Sequence, residues 1–276
     1  MVFLLMAIIG LASGIVGALI GLGGGVILVP ALLFLGSAIS FFPDLSPQKI
    51  VGLSVIMMIF TGLSSTLAYM KMGTVDYRSG FIFFLGSAPG TVIGALVNRN
   101  LDVPSFQLYF GLLLVFLSLL LLLRDRLNSV SWFVERGKKR VFHDRKTDKR
   151  YVYGYPFWFA LGLTFIVGFA SGLFGIGGGA ILVPAMILLF LFPPHVAVGT
   201  SMLMVFLSAI VNSVTHISLG NVPWIYTLAV VPGAYIGAKI GAKLNQSIKS
   251  ETVVLLLRIA LLLFGLRSIY EGIFSS

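Results

Sequence analysis

Two glycine runs carry the spacing in this chain that could do chemistry. Gly21-Leu22-Gly23-Gly24-Gly25 is followed by VILVPA, residues 26–31. Gly175-Ile176-Gly177-Gly178-Gly179 is followed by AILVPA, residues 180–185, with Gly175 lying 154 positions after Gly21. Chance does not repeat GxGGGxILVPA within 276 residues, so the chain contains an internal duplication. Glycine disfavours helix by roughly 1 kcal/mol relative to alanine, so each run predicts a break where backbone N–H and C=O groups leave the helix ladder. In a membrane such groups survive only where protein buries them or a cavity receives them. Val26 and Ala180 would begin helices just after the breaks, aiming free N–H groups and a positive helix end at the gap. That chemistry is anion capture, and it nominates Gly21, Gly23, Gly24, Gly25, Gly175, Gly177, Gly178 and Gly179. Close helix packing through small residues is the competing reading, since Gly10/Gly14, Gly17/Gly21 and Gly168/Gly172 are small-xxx-small pairs. Packing does not account for three consecutive glycines in both copies. Neither run matches a nucleotide-binding GxGxxG or GxxxxGK[ST].

Polar residues inside apolar segments are the second signal. Ser201, Ser208, Asn212 and His216 recur at intervals of seven, four and four, so they share one helix face. Ser54, Thr61, Ser65 and Tyr69 repeat that spacing in the first half. The pair of stripes suggests a lined cavity, although any single hydroxyl can bond back to its own helix. Thr200 neighbours Ser201 at the head of the second stripe. Arg258 is the one charge deep in a predicted span and reads either as a counter-charge for an anion or as a snorkelling arginine. The acidic residues Asp44, Asp76, Asp102 and Glu251 fall in predicted loops, which tilts the substrate towards an anion and leaves His216 as the candidate titrating group. Catalytic carboxylate pairs, HExxH, a nucleophile elbow and metal-ligand spacing are all missing from the sequence, so no enzyme, cofactor or metal site is expected. With no cysteine there is no thiol chemistry.

The elements that must position these residues follow from composition. Hydrophobic residues make up 58% of the chain and charged residues 10%, with mean hydropathy +1.05, whereas soluble domains are about 25% charged. An all-α polytopic membrane protein is expected. Apolar segments fall at Val2–Ile20, Val26–Phe42, Gln48–Met70, Ser79–Val97 and Phe106–Leu123, then at Pro156–Phe174, Ala180–Phe192, His195–Leu219, Trp224–Ala242 and Thr252–Ile269. A span needs roughly 20 residues, so the second segment of each half is short and reads as part of a broken helix or as one arm of a re-entrant hairpin. The halves also match at Pro47 and Pro194, at VGLS (51–54) and VGTS (198–201), at GTV (73–75) and GNV (220–222), and at PG (89–90, 232–233). Residues 1–124 and 156–276 thus form two repeats of about five segments. Between them, residues 125–155 form a basic loop. From Arg124 to Arg150 there are ten Lys/Arg against four Asp/Glu, most simply a topogenic cytosolic loop rather than a nucleic-acid patch. With that loop inside, fifteen Lys/Arg fall inside and Lys49, Arg99 and Arg267 outside, and the two halves take opposite orientations. Inverted repeats with matched broken segments point to a transporter with a site near mid-depth. Met1–Gly14 has no basic residue before its apolar run and reads as a first membrane segment, not a cleaved leader.

The duplicated GxGGGxILVPA, the AVGTS stretch at Ala197–Ser201 and the PGxxIGA stretch at Pro232–Ala238 resemble the TauE/SafE family of sulfite exporters, over Met6–Asp102 and Trp158–Arg267. The resemblance implies transport of a small sulfur-containing anion, sulfite or an organosulfonate, across the bacterial cytoplasmic membrane. It falls on the eight glycines, Pro30, Pro184, Thr200 and Ser201. Leu53 stands where the second half has Thr200, a departure from the pattern. The substrate site expected from all signals comprises the eight glycines with Ser54, Ser65, Thr200, Ser201, Asn212, His216 and Arg258. The partners are a small anion and the lipid bilayer, with a coupling proton or ion and a homodimer left open. An anion channel on the same scaffold and a non-transporting membrane scaffold are the alternatives.

Overall fold

The computed structural model describes residues 2–38, 45–124, 132–144, 149–245 and 251–274. The first half runs α1 (Val2–Ile20), α2 (Gly25–Ala38), α3 (Pro47–Lys71), α4 (Tyr77–Arg99) and α5 (Val103–Arg124). A short helix, α6 (Trp132–Glu135), and two strands, β1 (Lys138–Asp144) and β2 (Lys149–Tyr155), follow. The second half runs α7 (Phe157–Phe174), α8 (Gly179–Leu188), α9 (Pro194–Ser218), α10 (Trp224–Leu244) and α11 (Glu251–Phe274). Among the described residues seven helices are long and apolar enough to cross a membrane: α1, α3, α4, α5, α7, α9 and α10. Large apolar side chains such as Leu228, Ile225 and Leu263 stay exposed on the periphery, as lipid-facing surface does.

Helix starts follow local chemistry. Pro47 and Pro194 open α3 and α9, where a missing N–H is harmless. Ser46 caps α3 by accepting from Lys49 N, and Asp76 caps α4 by accepting from Ser79 N at 3.1 Å. At 1.5 Å per residue α2 and α8 reach only about 21 and 15 Å, against a hydrocarbon core of about 30 Å. Gly17 packs directly on Gly24, so the chain doubles back after α1 instead of continuing along its axis. The predicted second segments outrun these helices. The end at Phe42 lies outside the described residues, and α8 stops at Leu188 before Phe192 N turns back to Met186 O. Residues 125–131 and 145–148 of the predicted loop, and Lys249, also lie outside the described residues.

The helices pair across the halves. α1 packs on α10 and α4 on α7. Gly233, Gly237 and Gly241 meet Ala7, Leu11 and Ile15 in rising order, so α1 and α10 run parallel; Gly86, Gly90 and Gly94 do the same against Leu161, Phe165 and Phe169 of α7. α3 and α9 pack antiparallel at the centre: Gly52, near the start of α3, meets Asn221 just past the end of α9. Gly199, near the start of α9, meets Thr74 just past the end of α3. α5 and α11 are likewise antiparallel, with Ser118 reaching Arg258 O and Ser268 reaching Gln107 O.

The basic segment contains an element that its charge concealed. β1 and β2 pair antiparallel from Lys138↔Tyr155 to Asp144↔Lys149, an addition to the expected all-helical architecture. The alternation of Tyr151, Tyr153 and Tyr155 in β2 is an amphipathic strand pattern.

Candidate functional site

Each half bends at its glycine run, and the bends meet. At the end of α1 the N–H groups of Gly21, Leu22 and Gly23 all converge on Gly17 O, at 3.0, 2.7 and 3.3 Å. Gly21, Gly23 and Gly24 have φ of 85°, 84° and 91°, and Gly175 and Gly177 have 66° and 77°. L side chains rarely adopt these values, so the glycines are required by backbone conformation, not only by space. A methyl group added at Gly25 would strike Gly175 O, and one added at Gly179 would strike Gly21 O. The first carbonyl of each break therefore lies against the first residue of the short helix in the other half.

Two serines clamp this junction crosswise. Ser54 of α3 donates to Gly175 O at 2.6 Å, and Ser201 of α9 donates to Gly21 O at 2.8 Å; both are fully buried. Thr61 donates to Gly23 O at 2.8 Å. The carbonyls ending α1 and α7 are capped in parallel fashion: Tyr69 OH reaches Ala18 O at 2.8 Å and His216 Nε2 faces Gly172 O at 3.3 Å. Asn245 Nδ2 donates to Leu19 O at 2.6 Å and Asn98 Nδ2 to Leu173 O at 2.7 Å. The negative ends of α1 and α7 are thus covered by donors. The opposite ends are not covered: among the described residues no protein acceptor meets the N–H groups of Gly24, Gly25, Val26, Gly179, Ala180 or Ile181. The junction thus combines capped carbonyl ends with the positive ends of α2 and α8.

The thioether side chains of Met57, Met58 and Met204 pack against the breaks. Met57 lies against Gly24, Met204 against Gly178, and Met58 Sδ lies beside both Gly23 and Gly177. Sequence reasoning passed over these residues because methionine in an apolar helix carries no spacing signal.

The remaining sequence-nominated residues separate. Ser65 bonds back to Thr61 O on its own helix at 2.5 Å. Asn212 Nδ2 reaches Ser171 O at 3.5 Å, near the end of α7, while its Oδ1 is buried without a donor. His216 also contacts Asn221 Nδ2 through Nδ1 at 3.3 Å. Arg258 lies half-buried on the α5–α11 pair, away from the glycines. Thr200 faces the α3–α4 connection, where it accepts from Asp76 N at 3.0 Å. Leu53, its counterpart, aligns with a connection in which Pro223 replaces Asp76. Proline has no N–H, so a threonine at 53 would have nothing to accept from.

Asp76 anchors the hairpin. Its two carboxylate oxygens accept from Arg140 Nη1, both at 2.8 Å, and Oδ2 also accepts from Tyr153 OH at 3.0 Å and Ser79 Oγ at 2.6 Å. Tyr155 OH donates to Ser79 Oγ at 2.8 Å, and Gly154 N donates to Phe190 O beyond α8. Burial pushes the Asp76 carboxyl up, but the Ser79 and Arg140 hydrogen bonds and the guanidinium charge outweigh it and hold it below the usual carboxylate range. Burial, then the Asp76 charge, pushes the Tyr153 phenol up. A cavity of about 230 Å³ opens beside the first break, lined by Leu19, Ile20, Val183, His195, Val198 and Asn245 among others.

A multi-pass helical membrane protein whose halves each end a long helix in a glycine break and pack the breaks together has the construction of a membrane transporter. The sequence profile described as sulfite exporter TauE/SafE matches residues 6–268, and this chain belongs to that family. It is 48% identical over 275 residues, covering all of both chains, to a probable membrane transporter protein, YunE, of Bacillus subtilis. It is 27% identical to the probable membrane transporter protein MJ0441 of Methanocaldococcus jannaschii, over 95% of this chain and 93% of that one. A probable membrane transporter protein of Xylella fastidiosa is also 27% identical, over 84% and 82%. No solved structure matches this chain.

Proposed function

We propose that this protein is a secondary transporter that exports a small sulfur-containing anion, sulfite or an organosulfonate. In this reading the anion binds where the two glycine breaks meet. The observation that carries it is the junction itself: six N–H groups without protein acceptors sit beside carbonyl ends already capped by side chains. A partly buried helix N-terminus favours an anion by up to ~2 kcal/mol, and two converge here. The glycines supply the N–H donors. Ser54, Ser201, Asn212 and His216 hold the carbonyl ends away from the anion, and Met57, Met58 and Met204 give it polarisable walls. Thr200, Ser65 and Arg258 serve the scaffold in this reading.

Antiparallel packing of the equivalent helices α3/α9 and α5/α11 supports inverted repeats. The charge count supports a cytosolic placement of residues 125–155 in the bacterial inner membrane. Rocking of one half on the other would then expose the junction to each side in turn.

The test is flux of sulfite and of small sulfonates in proteoliposomes, paired with thermal unfolding in the same anions. Ligand at a hundredfold excess over Kd should raise native stability by about 2.7 kcal/mol. Saturable flux with a matching thermal shift is expected. Absence of both for every sulfur anion, under any ion gradient, removes the substrate assignment, and unsaturable single-channel current moves the protein to the channel class.

A further inference from the structure

The start of α7 joins an exposed apolar stripe to a cluster of cations. Trp158, Gly162, Phe165 and Ile166 lie on one face of α7 and are all exposed, with Trp158 at the head of the stripe and 81% exposed. A Cβ added at Gly162 would meet nothing within 4 Å, so the stripe carries a notch one turn below Trp158. α6 sits against this helix start, with the rings of Phe133 and Phe159 4.5 Å apart. Gly137 lies on the backbone of Tyr155, two residues before α7. Arg136 and Lys138 flank that glycine and Lys139 follows; all three are exposed, against the one exposed carboxylate of Glu135. The Arg136 guanidinium lies 4.2 Å over the ring of Trp132, which is itself 47% exposed. The other end of the helix bundle offers a contrast. Trp224 is exposed at the start of α10, after α9 has run from the hairpin to the opposite side, and the chain has no Lys or Arg from Tyr151 to Ala238. Aromatic residues at interfacial positions thus occur on both sides, but those beside the hairpin are joined by cations.

We propose that this corner binds an anionic phospholipid. The headgroup phosphate sits among Arg136, Lys138 and Lys139, beside the rings of Trp132 and Trp158, and an acyl chain runs down α7 across Gly162. Charge complementarity selects the headgroup, because a basic residue next to a membrane span attracts anionic lipid. The apolar stripe selects a lipid over a free anion, since a soluble phosphate has nothing to bury against Gly162, Phe165 and Ile166. The site is remote in chain and chemistry from the glycine junction, so it stands or falls apart from the sulfur-anion reading.

The chain has three tryptophans, so removing two leaves a fluorescent reporter at one place. Trp132→Phe with Trp224→Phe leaves Trp158, and Trp132→Phe with Trp158→Phe leaves Trp224. Each is reconstituted in phosphatidylcholine vesicles holding about 30% phosphatidylglycerol, with tail-brominated lipid as quencher. The readout is quenching by brominated phosphatidylglycerol divided by quenching from the same fraction of brominated phosphatidylcholine, which cancels the differing exposure of the two rings. This ratio is expected to be at least about twofold higher at Trp158 than at Trp224. Arg136→Gln, Lys138→Gln and Lys139→Gln together are expected to bring Trp158 down to the Trp224 ratio. Equal ratios at the two tryptophans, or an excess that survives the three substitutions, overturn the site. Should the substituted protein not fold, about 1 M salt, where charges are screened beyond roughly 3 Å, is expected to remove the excess from the unsubstituted Trp158 reporter. An excess indifferent to salt overturns the site equally. Loss of the excess in inorganic phosphate at constant ionic strength would make a free anion the occupant and also overturn it.

Discussion

The two glycine breaks are alike in sequence and unlike in what surrounds them. Both present a carbonyl to a serine from the opposite end of the central helix pair, and both press that carbonyl on the other half's short helix. Yet Gly24 sits at φ 91° with the backbone Ser13 O 2.8 Å from its would-be methyl, whereas Gly178, its equivalent, sits at φ −64° beside the side chains of Val167 and Met204. Thr61 donates to Gly23 O in the first half, while its counterpart Ser208 donates instead to Ser87 of α4. The comparison separates what the junction shares between the halves from what occurs on one side of it. The crossed serines and facing carbonyls occur twice and belong to the junction. The left-handed Gly24, the bond between Thr200 and Asp76 and, among the described residues, the hairpin occur once and belong to one half-to-half contact alone.

The largest expected effect comes from breaking the shared feature. Gly25→Val and Gly179→Val each drive a side chain into a backbone carbonyl of the other half. Overpacking of this kind costs typically 1–3 kcal/mol, and more where backbone cannot yield. Thermal unfolding should show both variants strongly destabilised by similar amounts, with flux lost in both; a silent variant at either position would break the equivalence. Next come Ser54→Ala and Ser201→Ala, each leaving a buried carbonyl without its donor, at about 1–3 kcal/mol. Equal losses in denaturant unfolding uphold the crossed clamp, and a loss at one serine alone reduces it to a feature of one half.

Gly24→Ala and Gly178→Ala sharpen the contrast. The left-handed backbone at Gly24 adds roughly 1–2 kcal/mol that Gly178 does not incur, so the midpoint should fall further for Gly24→Ala. The smallest effect concerns pH. The Asp76 carboxyl is held below its ordinary value, so its contribution to hairpin docking is present above that ordinary value. It is lost only as pH falls through the depressed folded value. Amide exchange at Gly154, corrected for intrinsic pH dependence, should stay protected from pH 5 to 8. Loss of protection within that range would contradict the ion pair.

Much of the helical scaffold was legible without coordinates. Long apolar runs, the doubled glycine motif and the matched VGLS and VGTS stretches are local patterns, and α3, expected at Gln48–Met70, forms at Pro47–Lys71. The glycines and the two serines could also be nominated, because their types and repeat positions are local facts. The hairpin was masked by its charge: counting lysines and arginines hid the tyrosine alternation that places one face of β2 on Asp76. The destination of each polar side chain was not legible at all. Ser65 and Ser201 carry the same hydroxyl on equivalent helices, yet one bonds back to its own helix and the other reaches across 180 residues of chain to Gly21.

The sequence by itself determined the class of protein, the duplication and where the backbone must bend, because hydropathy, repeat spacing and glycine's conformational freedom act over neighbouring residues. The tertiary structure alone decided that the bends meet, that each is clamped by a serine of the central pair, and that the β1–β2 hairpin docks on Asp76. Helices apolar around their whole circumference advertise no preferred face, so their partners are chosen by the fit of whole surfaces.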